Sequence, residues 1–210
     1  MASGKPLVVE IGPGYSPFPP ATEFIDWKDG QLSISDIRVH CLDINKDRLP
    51  YEDKSVDFIY CRHVLEDIYN PLWVCEEMAR VAKAGYIETP SPLAECSRGV
   101  DADSPNWRGY VHHRYVVWVH DGKLTFLPKY PIIEHFNLME VEDEIIELLN
   151  SSPLYWNTYF FWNDSFEVNF LQSDQDFNFP KSYQEWLMES IARSTEDALL
   201  IALNYGFPVA

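Results

Sequence analysis

The first residues that could do chemistry lie near the N-terminus, where an apolar run meets an acid and a Gly-x-Gly turn. Leu7 to Ile11 is apolar except for Glu10, and Gly12 and Gly14 follow directly. A buried strand that stops at such a turn presents backbone N–H groups to a ligand, because no side chain blocks the approach. The acid beside the turn favours a ligand with a positive amino group over a pyrophosphate.

Two further acids end apolar runs along the next forty residues. Asp26 follows Phe24 and Ile25, and Asp43 closes a run that begins at Arg38. An acid at the end of a second strand can accept two hydrogen bonds from a ribose diol. The neighbouring acids that could take this role instead are Asp29 and Asp36. Asp26 is preferred because an apolar run precedes it.

Strands alternating with helices or turns must position these acids. Asn70 and Pro71 are typical of the start of a helix, Leu72 belongs to its predicted buried stripe, and Gly85 is expected to end it. Three prolines at 17–20 exclude a long helix after the glycine turn. The predicted strands are residues 7–11, 23–27, 38–44, 56–61 and 86–90. This order predicts an α/β fold with a Rossmann-like, doubly wound, mostly parallel sheet, whose ligands bind outside the carboxyl ends of the strands.

Four motifs occur in this half of the chain in a characteristic order. They are Glu-Ile-Gly-Pro-Gly at 10–14, Phe-Ile-Asp at 24–26, Cys-Leu-Asp-Ile at 41–44, and the long run from Leu-Pro-Tyr to Arg-His-Val-Leu-Glu-Asp-Ile at 49–68. Residues 7–90 therefore resemble a class I S-adenosylmethionine-dependent methyltransferase. The similarity is greatest to the Methyltransferase-11-like subgroup, in which the second strand follows the glycine loop almost directly.

The resemblance implies S-adenosylmethionine as cofactor and S-adenosylhomocysteine as product. Glu10, Gly12 and Gly14 would hold the methionine moiety, with Glu10 acting on its amino group. Arg62 and His63, at the end of the fourth strand, would flank the cofactor.

The resemblance also implies how the nucleoside is held. Asp26 would bind the ribose hydroxyls, and Asp43 would accept from the adenine amino group with the Ile44 amide at the ring. Two positions depart from the family pattern: Ser16 replaces a third glycine, and Asp67 replaces a second histidine. A dinucleotide-binding domain is the alternative, but the full Gly-x-Gly-x-x-Gly motif is missing and prolines replace the phosphate-binding helix.

The second half of the chain is expected to bind the methyl acceptor. Residues 91–107 are predicted to form a long loop, and strands at 109–120 and 123–127 flank Asp121-Gly122, which is typical of a β-hairpin. A β-hairpin insertion is therefore expected after the fifth strand. A strand at 155–162 and another at 166–171 are predicted to form a second hairpin.

His112 and His113 are the candidate catalytic residues. On a strand they would point to opposite faces, so only one could face a pocket. A neutral imidazole can take the proton that an acceptor hydroxyl loses as it attacks the methyl group. His113 is the first choice and His112 the second, and the alternative is that both are hydrogen-bonded hairpin residues.

No metal is expected, although one weak pattern could bind a divalent ion. Asp101 and Asp103 form an Asp-x-Asp motif that could combine with His112 or His120. In so acidic a chain this spacing is frequent by chance.

Charge and composition narrow the classes of molecule that this protein could bind. The 210 residues include 16 basic and 33 acidic residues, for a net charge of −17. Such a chain disfavours nucleic acid and membrane partners, because phosphate binding needs a basic field. Four cysteines without a metal or disulfide spacing, and no long apolar segment, favour an unexported cytoplasmic protein.

The sequence predicts a single methyltransferase domain over residues 1–210. Its parts are a cofactor-binding half at 7–90, an acceptor-side loop and hairpin at 91–137, and closing helices and last strands at 138–210. The predicted function is O-methylation of a small-molecule hydroxyl, with a sugar or glycan preferred because aromatic-rich, acid-rich clefts suit polyols. The alternative is a non-catalytic methyltransferase fold that serves as a binding or partner subunit.

Overall fold

A computed structural model describes residues 4–27, 37–138, 142–171 and 179–205. Two short 3-10 helices lie at Pro131–His135 and Pro153–Tyr155. The strands are β1 (Val8–Ile11), β2 (Glu23–Asp26), β3 (Arg38–Cys41), β4 (Phe58–Arg62), β5 (Ala84–Pro90), β6 (Tyr115–His120), β7 (Lys123–Pro128), β8 (Asn157–Asn163) and β9 (Val168–Phe170). The α-helices are α1 (Pro71–Val81), α2 (Pro92–Cys96), α3 (Glu142–Ser151) and α4 (Phe179–Tyr205).

The described strands form two sheets. The larger has the order β3-β2-β1-β4-β5-β8, and the pairs from β3 to β5 are all parallel. The smaller has the order β6-β7-β9, with β6 and β7 antiparallel and β7 and β9 parallel. The predicted α/β class with a mostly parallel, Rossmann-like central sheet is confirmed.

The chain divides into two compact units. One contains residues 1–88 and 159–167, and the other contains residues 89–158 and 168–210. The cofactor-binding half predicted at 7–90 corresponds closely to the longer segment of the first unit. The expectation of one domain over the whole chain stays a prediction.

Burial of β1 on both faces explains why its sequence is apolar except for Glu10. All four of its residues are buried, as expected for the centre of a parallel sheet. Residues 12–22 contain no helix, as the prolines predict. Parallel strands are usually joined by a crossover helix, and here the proline-rich loop joins β1 to β2 instead.

Helix α1 begins at Pro71 as predicted, but two details differ. Asn70 precedes it without a side-chain capping bond, and its amide donates to the Asn45 carbonyl at 3.4 Å instead. Leu72, predicted to be buried, is 36 % exposed. The buried face of α1 is formed by Pro71, Val74, Cys75, Glu77, Met78 and Val81.

Gly85 does not end this helix, contrary to the prediction. The helix stops at Val81 because Ala82 is already extended, and Gly85 lies inside β5. A Cβ at this position would be 2.6 Å from the Trp162 ring and 2.7 Å from Ile59 Cγ2. The glycine is therefore required by close packing across the sheet and not by helix termination.

In the second unit, the predicted hairpin around Asp121-Gly122 is present. Both turn residues have positive φ, +49° and +77°, as a two-residue hairpin turn requires. Its core includes Trp118 and Leu127, packed with Tyr183 of α4. The Tyr183 hydroxyl donates to the Pro128 carbonyl at 2.8 Å, so the helix is bonded to the end of β7. That this hairpin is an insertion into the domain stays a prediction.

Two other expectations about the second half are wrong. The segment predicted as a loop at 91–107 contains α2, which Ser91 caps by accepting from the Ala94 N–H at 3.1 Å. The strands predicted to form a second hairpin, β8 and β9, lie in different sheets. Apolar alternation identified both strands but could not assign their partners. Within the described residues, no helix has the length and apolarity needed to cross a membrane.

Substitution of Gly85 by alanine is expected to destabilise the first unit by about 1–3 kcal/mol, because the added methyl group overpacks the contact with Trp162. Urea unfolding followed by tryptophan fluorescence measures the change. Gly4→Ala is the matched control, since nothing lies within 4 Å of its added Cβ. Equal unfolding midpoints for the two variants would contradict the packing argument.

Candidate cofactor site

A cavity of about 740 Å³ opens at the carboxyl ends of the parallel strands in the first unit. It lies where the strand order reverses between β1 and β4, the usual ligand position in such sheets. Its lining residues are Ile11, Gly12, Gly14, Ile25, Asp26, Trp27, Leu42, Asp43, Ile44, Asn45, His63, Val64, Asp67, Ile68 and Tyr69.

The structure brings together most of the predicted cofactor residues at this cavity. Six of the eight line it, and they are Gly12, Gly14, Asp26, Asp43, Ile44 and His63. Glu10 and Arg62 do not belong to the lining. The alternatives for the ribose, Asp29 and Asp36, lie outside the described residues.

The glycine turn brings the backbone to the cavity wall. Gly12 and Gly14 have φ values of +65° and +53°, which non-glycine side chains rarely adopt. The Gly12 N–H donates to the Ile25 carbonyl at 2.9 Å. A Cβ on Gly12 would lie 2.5 Å from Val64 Cγ2, so the turn also needs glycine for space.

The Asp43 carboxylate is held in a defined orientation at the end of β3. Its Oδ1 accepts from the Asn45 N–H at 3.1 Å and from the Asn45 side-chain amide at 3.0 Å. Its Oδ2 lies 3.2 Å from the Lys46 ammonium. The hydrogen bonds from Asn45 and Lys46 hold the pKa of Asp43 below its usual value, so this residue is an anion.

Glu10 and Arg62 bind the proline-rich loop that follows the glycine turn. Glu10 is 2 % exposed, and its Oε2 accepts from the Phe18 N–H at 2.8 Å. Arg62 donates to the Ser16 carbonyl at 3.0 Å. Burial raises the pKa of Glu10, while the Phe18 bond and the charge of Arg62 oppose that rise. In this structure both side chains position the loop, and their predicted contact with the cofactor stays a prediction.

His63 lies between two carboxylates at the end of β4. Its Nδ1 is 3.5 Å from Glu66 Oε1 and its Nε2 is 3.5 Å from Glu88 Oε1. Burial lowers its pKa, but the bonds to the two acids outweigh burial and raise the pKa to about 9. The Tyr86 hydroxyl also donates to Glu88. His63 is therefore an imidazolium at neutral pH, unsuited to act as a base there.

A family comparison agrees with this geometry. The model of the methyltransferase-domain family matches residues 20–87, which include β2, β3, β4 and α1. Residues 20–87 are thus similar to a methyltransferase domain. This similarity implies S-adenosylmethionine as the cofactor. A search of curated proteins gives no match.

Solved structures with some likeness to this chain include two S-adenosylmethionine-dependent methyltransferases. The Mesorhizobium loti protein is 14 % identical with a TM-score of 0.37, over 60 % of this chain and 58 % of that one. The Aquifex aeolicus protein is 21 % identical with a TM-score of 0.32, over 42 % and 60 %. This chain thus aligns with less than two thirds of either relative.

A third similar structure is a complex from Haloferax volcanii between the Trm112 methyltransferase activator and a methyltransferase. It is 15 % identical with a TM-score of 0.43, over 77 % of this chain and 83 % of that one.

Nine of the residues that line the cavity were not among the cofactor residues predicted from the sequence. Trp27 and Tyr69, each 72 % exposed, are large aromatic side chains that line it. Trp27 directly follows the ribose candidate Asp26, and Tyr69 directly precedes the helix start at Asn70. Their positions next to Asp26 and Asn70 could have identified Trp27 and Tyr69 as lining residues.

The catalytic candidates lie in the second unit, and not on a strand as predicted. His112 and His113 occupy a turn before β6, so strand alternation does not decide their directions. The His113 side chain is 6 % exposed, and its Nδ1 is 2.5 Å from Glu95 Oε1. Lys129 donates to the other oxygen of Glu95 at 2.6 Å. Burial raises the pKa of Glu95, but His113 and Lys129 outweigh this and lower it.

The weak metal pattern forms a local turn. The Asp103 N–H donates to Asp101 Oδ1 at 3.0 Å, which is a bond typical of Asp-x-Asp turns. His120 lies 3.5 Å from Asp121 and 3.8 Å from Glu189. The expectation that no metal is used, with these two acids as a weak alternative, stays a prediction.

The pKa of His63 gives a testable pH dependence. NMR titration is expected to give a midpoint near pH 9, and Glu88→Gln should lower it because one anionic partner is lost. Since folding raises this pKa above its usual value of about 6.5, the ion pairs stabilise the fold below pH 6.5. That contribution is lost as pH rises through 9.

The control is Glu52→Gln, which removes an exposed acid outside the cavity lining. It should leave the His63 midpoint unchanged. A wild-type midpoint near 6.5 would show that the two carboxylates do not hold the imidazolium.

Proposed function

We propose that this protein binds S-adenosylmethionine in the cavity of the first unit and transfers its methyl group to an acceptor. The observation that carries the proposal is that six residues predicted from sequence motifs line a single cavity at the switch point of the sheet. A volume of about 740 Å³ is also in the usual range for small-molecule and cofactor sites.

In the proposed binding mode, each wall of the cavity recognises one part of the cofactor. The Gly14 N–H faces the methionine moiety, since the Gly12 N–H is bonded to the Ile25 carbonyl and Pro13 has no N–H. Asp26 accepts from the ribose hydroxyls. Asp43 accepts from the adenine amino group beside the Ile44 amide. The apolar contribution comes from Ile11, Ile25, Leu42, Val64 and Ile68, which also line the cavity.

We propose an O-methyl transfer. The acceptor oxygen forms a bond to the methyl carbon as the carbon–sulfur bond breaks, so the sulfonium becomes a neutral thioether and the hydroxyl loses its proton. His113 is the proposed base and His112 the second choice. The bond from His113 Nδ1 to the Glu95 anion supports this role, because it favours the tautomer whose Nε2 carries the lone pair.

The preferred acceptor is a small-molecule hydroxyl, with a sugar or glycan as the favoured class. Support comes from composition: aromatic residues form 15 % of the chain, and acids outnumber bases 33 to 16. Aromatic faces stack on sugar rings, and carboxylates accept hydrogen bonds from hydroxyls. The same charge opposes nucleic acid as an acceptor.

One observation favours a second candidate, a non-catalytic fold that serves as a binding or partner subunit. Glu95, His113 and Lys129 are all less than 10 % exposed and satisfy one another, as structural ion-pair networks do. A base for an external acceptor would need access to it. Turnover separates this candidate from the enzyme.

Loss of cofactor binding tests the first step. Asp43→Ala and Gly12→Val should abolish measurable binding of S-adenosylhomocysteine in calorimetry, since one removes the adenine acceptor and the other fills the turn beside Val64. Asp103→Ala, an exposed acid outside the cavity, is the control and should bind as wild type. Wild-type affinity in either cavity variant would refute the pocket assignment.

Loss of transfer tests the second step. His113→Gln should retain cofactor affinity but lose at least about 100-fold in turnover with radiolabelled methyl groups on a panel of hydroxylated sugars, as expected for a general base. His135→Ala, at an exposed histidine outside the proposed machinery, is the control and should turn over as wild type. His112→Ala tests the second choice of base. Unchanged turnover in His113→Gln would assign the base elsewhere, and a wild type that binds cofactor without any turnover would favour the partner subunit.

A further inference from the structure

The Asn45 side chain connects two walls of the cofactor cavity. Its Nδ2 donates to Asp43 Oδ1 at 3.0 Å, at the end of β3. Its Oδ1 accepts from the backbone N–H groups of Tyr69 and Asn70 at 2.8 and 3.1 Å, just before α1. Both Asp43 and Tyr69 line the cavity, as does Asn45 itself.

A side-chain amide satisfies this arrangement, because its oxygen accepts and its nitrogen donates. Backbone N–H groups can only donate and the Asp43 carboxylate can only accept, so the residue between them must present one acceptor and one donor. These partners also fix which end of the Asn45 amide is oxygen. An aspartate in place of Asn45 would keep the acceptor for Tyr69 and Asn70, but would set two carboxylates against each other.

The bonds from Asn45 also determine which Asp43 oxygen can serve a ligand. Each carboxylate oxygen accepts about two hydrogen bonds, and Oδ1 already receives two from Asn45. Oδ2 faces the Lys46 ammonium at 3.2 Å and keeps one acceptor position. Oδ2 is therefore the oxygen available to an amino group.

We propose that Asn45 is a positioning residue that gives the cavity its selectivity for the adenine amino group, by fixing the Asp43 carboxylate and joining it to the Tyr69–Asn70 segment. The inference rests on the proposed function, since it assigns a role within the same cavity. Asn45 acts through Asp43. It should therefore affect the preference for an amino group over a carbonyl at that position more than it affects binding in general.

The probes are S-adenosylhomocysteine and its 6-oxo counterpart, S-inosylhomocysteine. The second compound presents a carbonyl where the first presents the amino group, so an oriented carboxylate should reject it. Wild type should prefer the adenine compound by about tenfold or more in calorimetry, the order expected for one hydrogen bond to a charged group. In Asn45→Ala this preference should fall severalfold, because Asp43 loses its fixed orientation.

Asn45→Asp tests the bond to Asp43 separately from the bonds to Tyr69 and Asn70. It should keep a melting temperature close to wild type, since the acceptor for Tyr69 and Asn70 remains, but it should lose selectivity as Asn45→Ala does. Asn150→Ala, an exposed asparagine of α3, is the matched control and should change neither property.

The outcomes distinguish the two proposals. If Asn45→Ala weakens both compounds by the same factor, the residue is only structural and the inference is overturned. Full selectivity in Asn45→Asp would overturn it as well. If wild type binds neither compound, the proposed function itself fails, and the inference fails with it.

Discussion

The structure of the cofactor site depends on the close contact between the glycine turn and the segment after β4. Gly12 has a left-handed backbone and sits so near Val64 that any Cβ would overlap its methyl group. This contact lets the chain leave β1 and turn at once into a loop. Because prolines prevent a helix there, side chains must hold the loop, and Glu10 and Arg62 do so through Phe18 and Ser16.

The pKa of each acidic side chain near the cavity depends on the hydrogen bonds that it accepts more than on the number of acids there. Asp43 is kept anionic by Asn45 and Lys46, whereas buried Glu10 has a raised pKa. Glu88 is partly buried, which raises its pKa, yet His63 and Tyr86 hold that pKa below its usual value. One kind of residue thus serves as a loop anchor, as a partner of an imidazolium and, in the proposed function, as a ligand acceptor, according to what each carboxylate contacts.

The second unit contains a comparable polar network in a different setting. Glu95 receives bonds from His113 and Lys129, and a Cβ at Gly109 would overlap the Glu95 backbone. Such a buried set of three polar groups rigidifies the turn before β6, because each group would be costly without its partners. The same bonds that would orient a base also account for a purely structural role.

The sequence by itself determined the positions of the parallel strands along the chain, the start of α1 and six of the residues around the cavity. Those features are local: an apolar run, a turn chemistry or a motif specifies each of them within a few residues. Only the tertiary structure decided what Gly85, Glu10 and Asn45 do. Their roles depend on Trp162, Phe18 and Tyr69, which are separated from them by 8 to 77 positions. The pairing of β9 with β7 was undetermined for the same reason, since strand alternation defines a face and a register but not a neighbour.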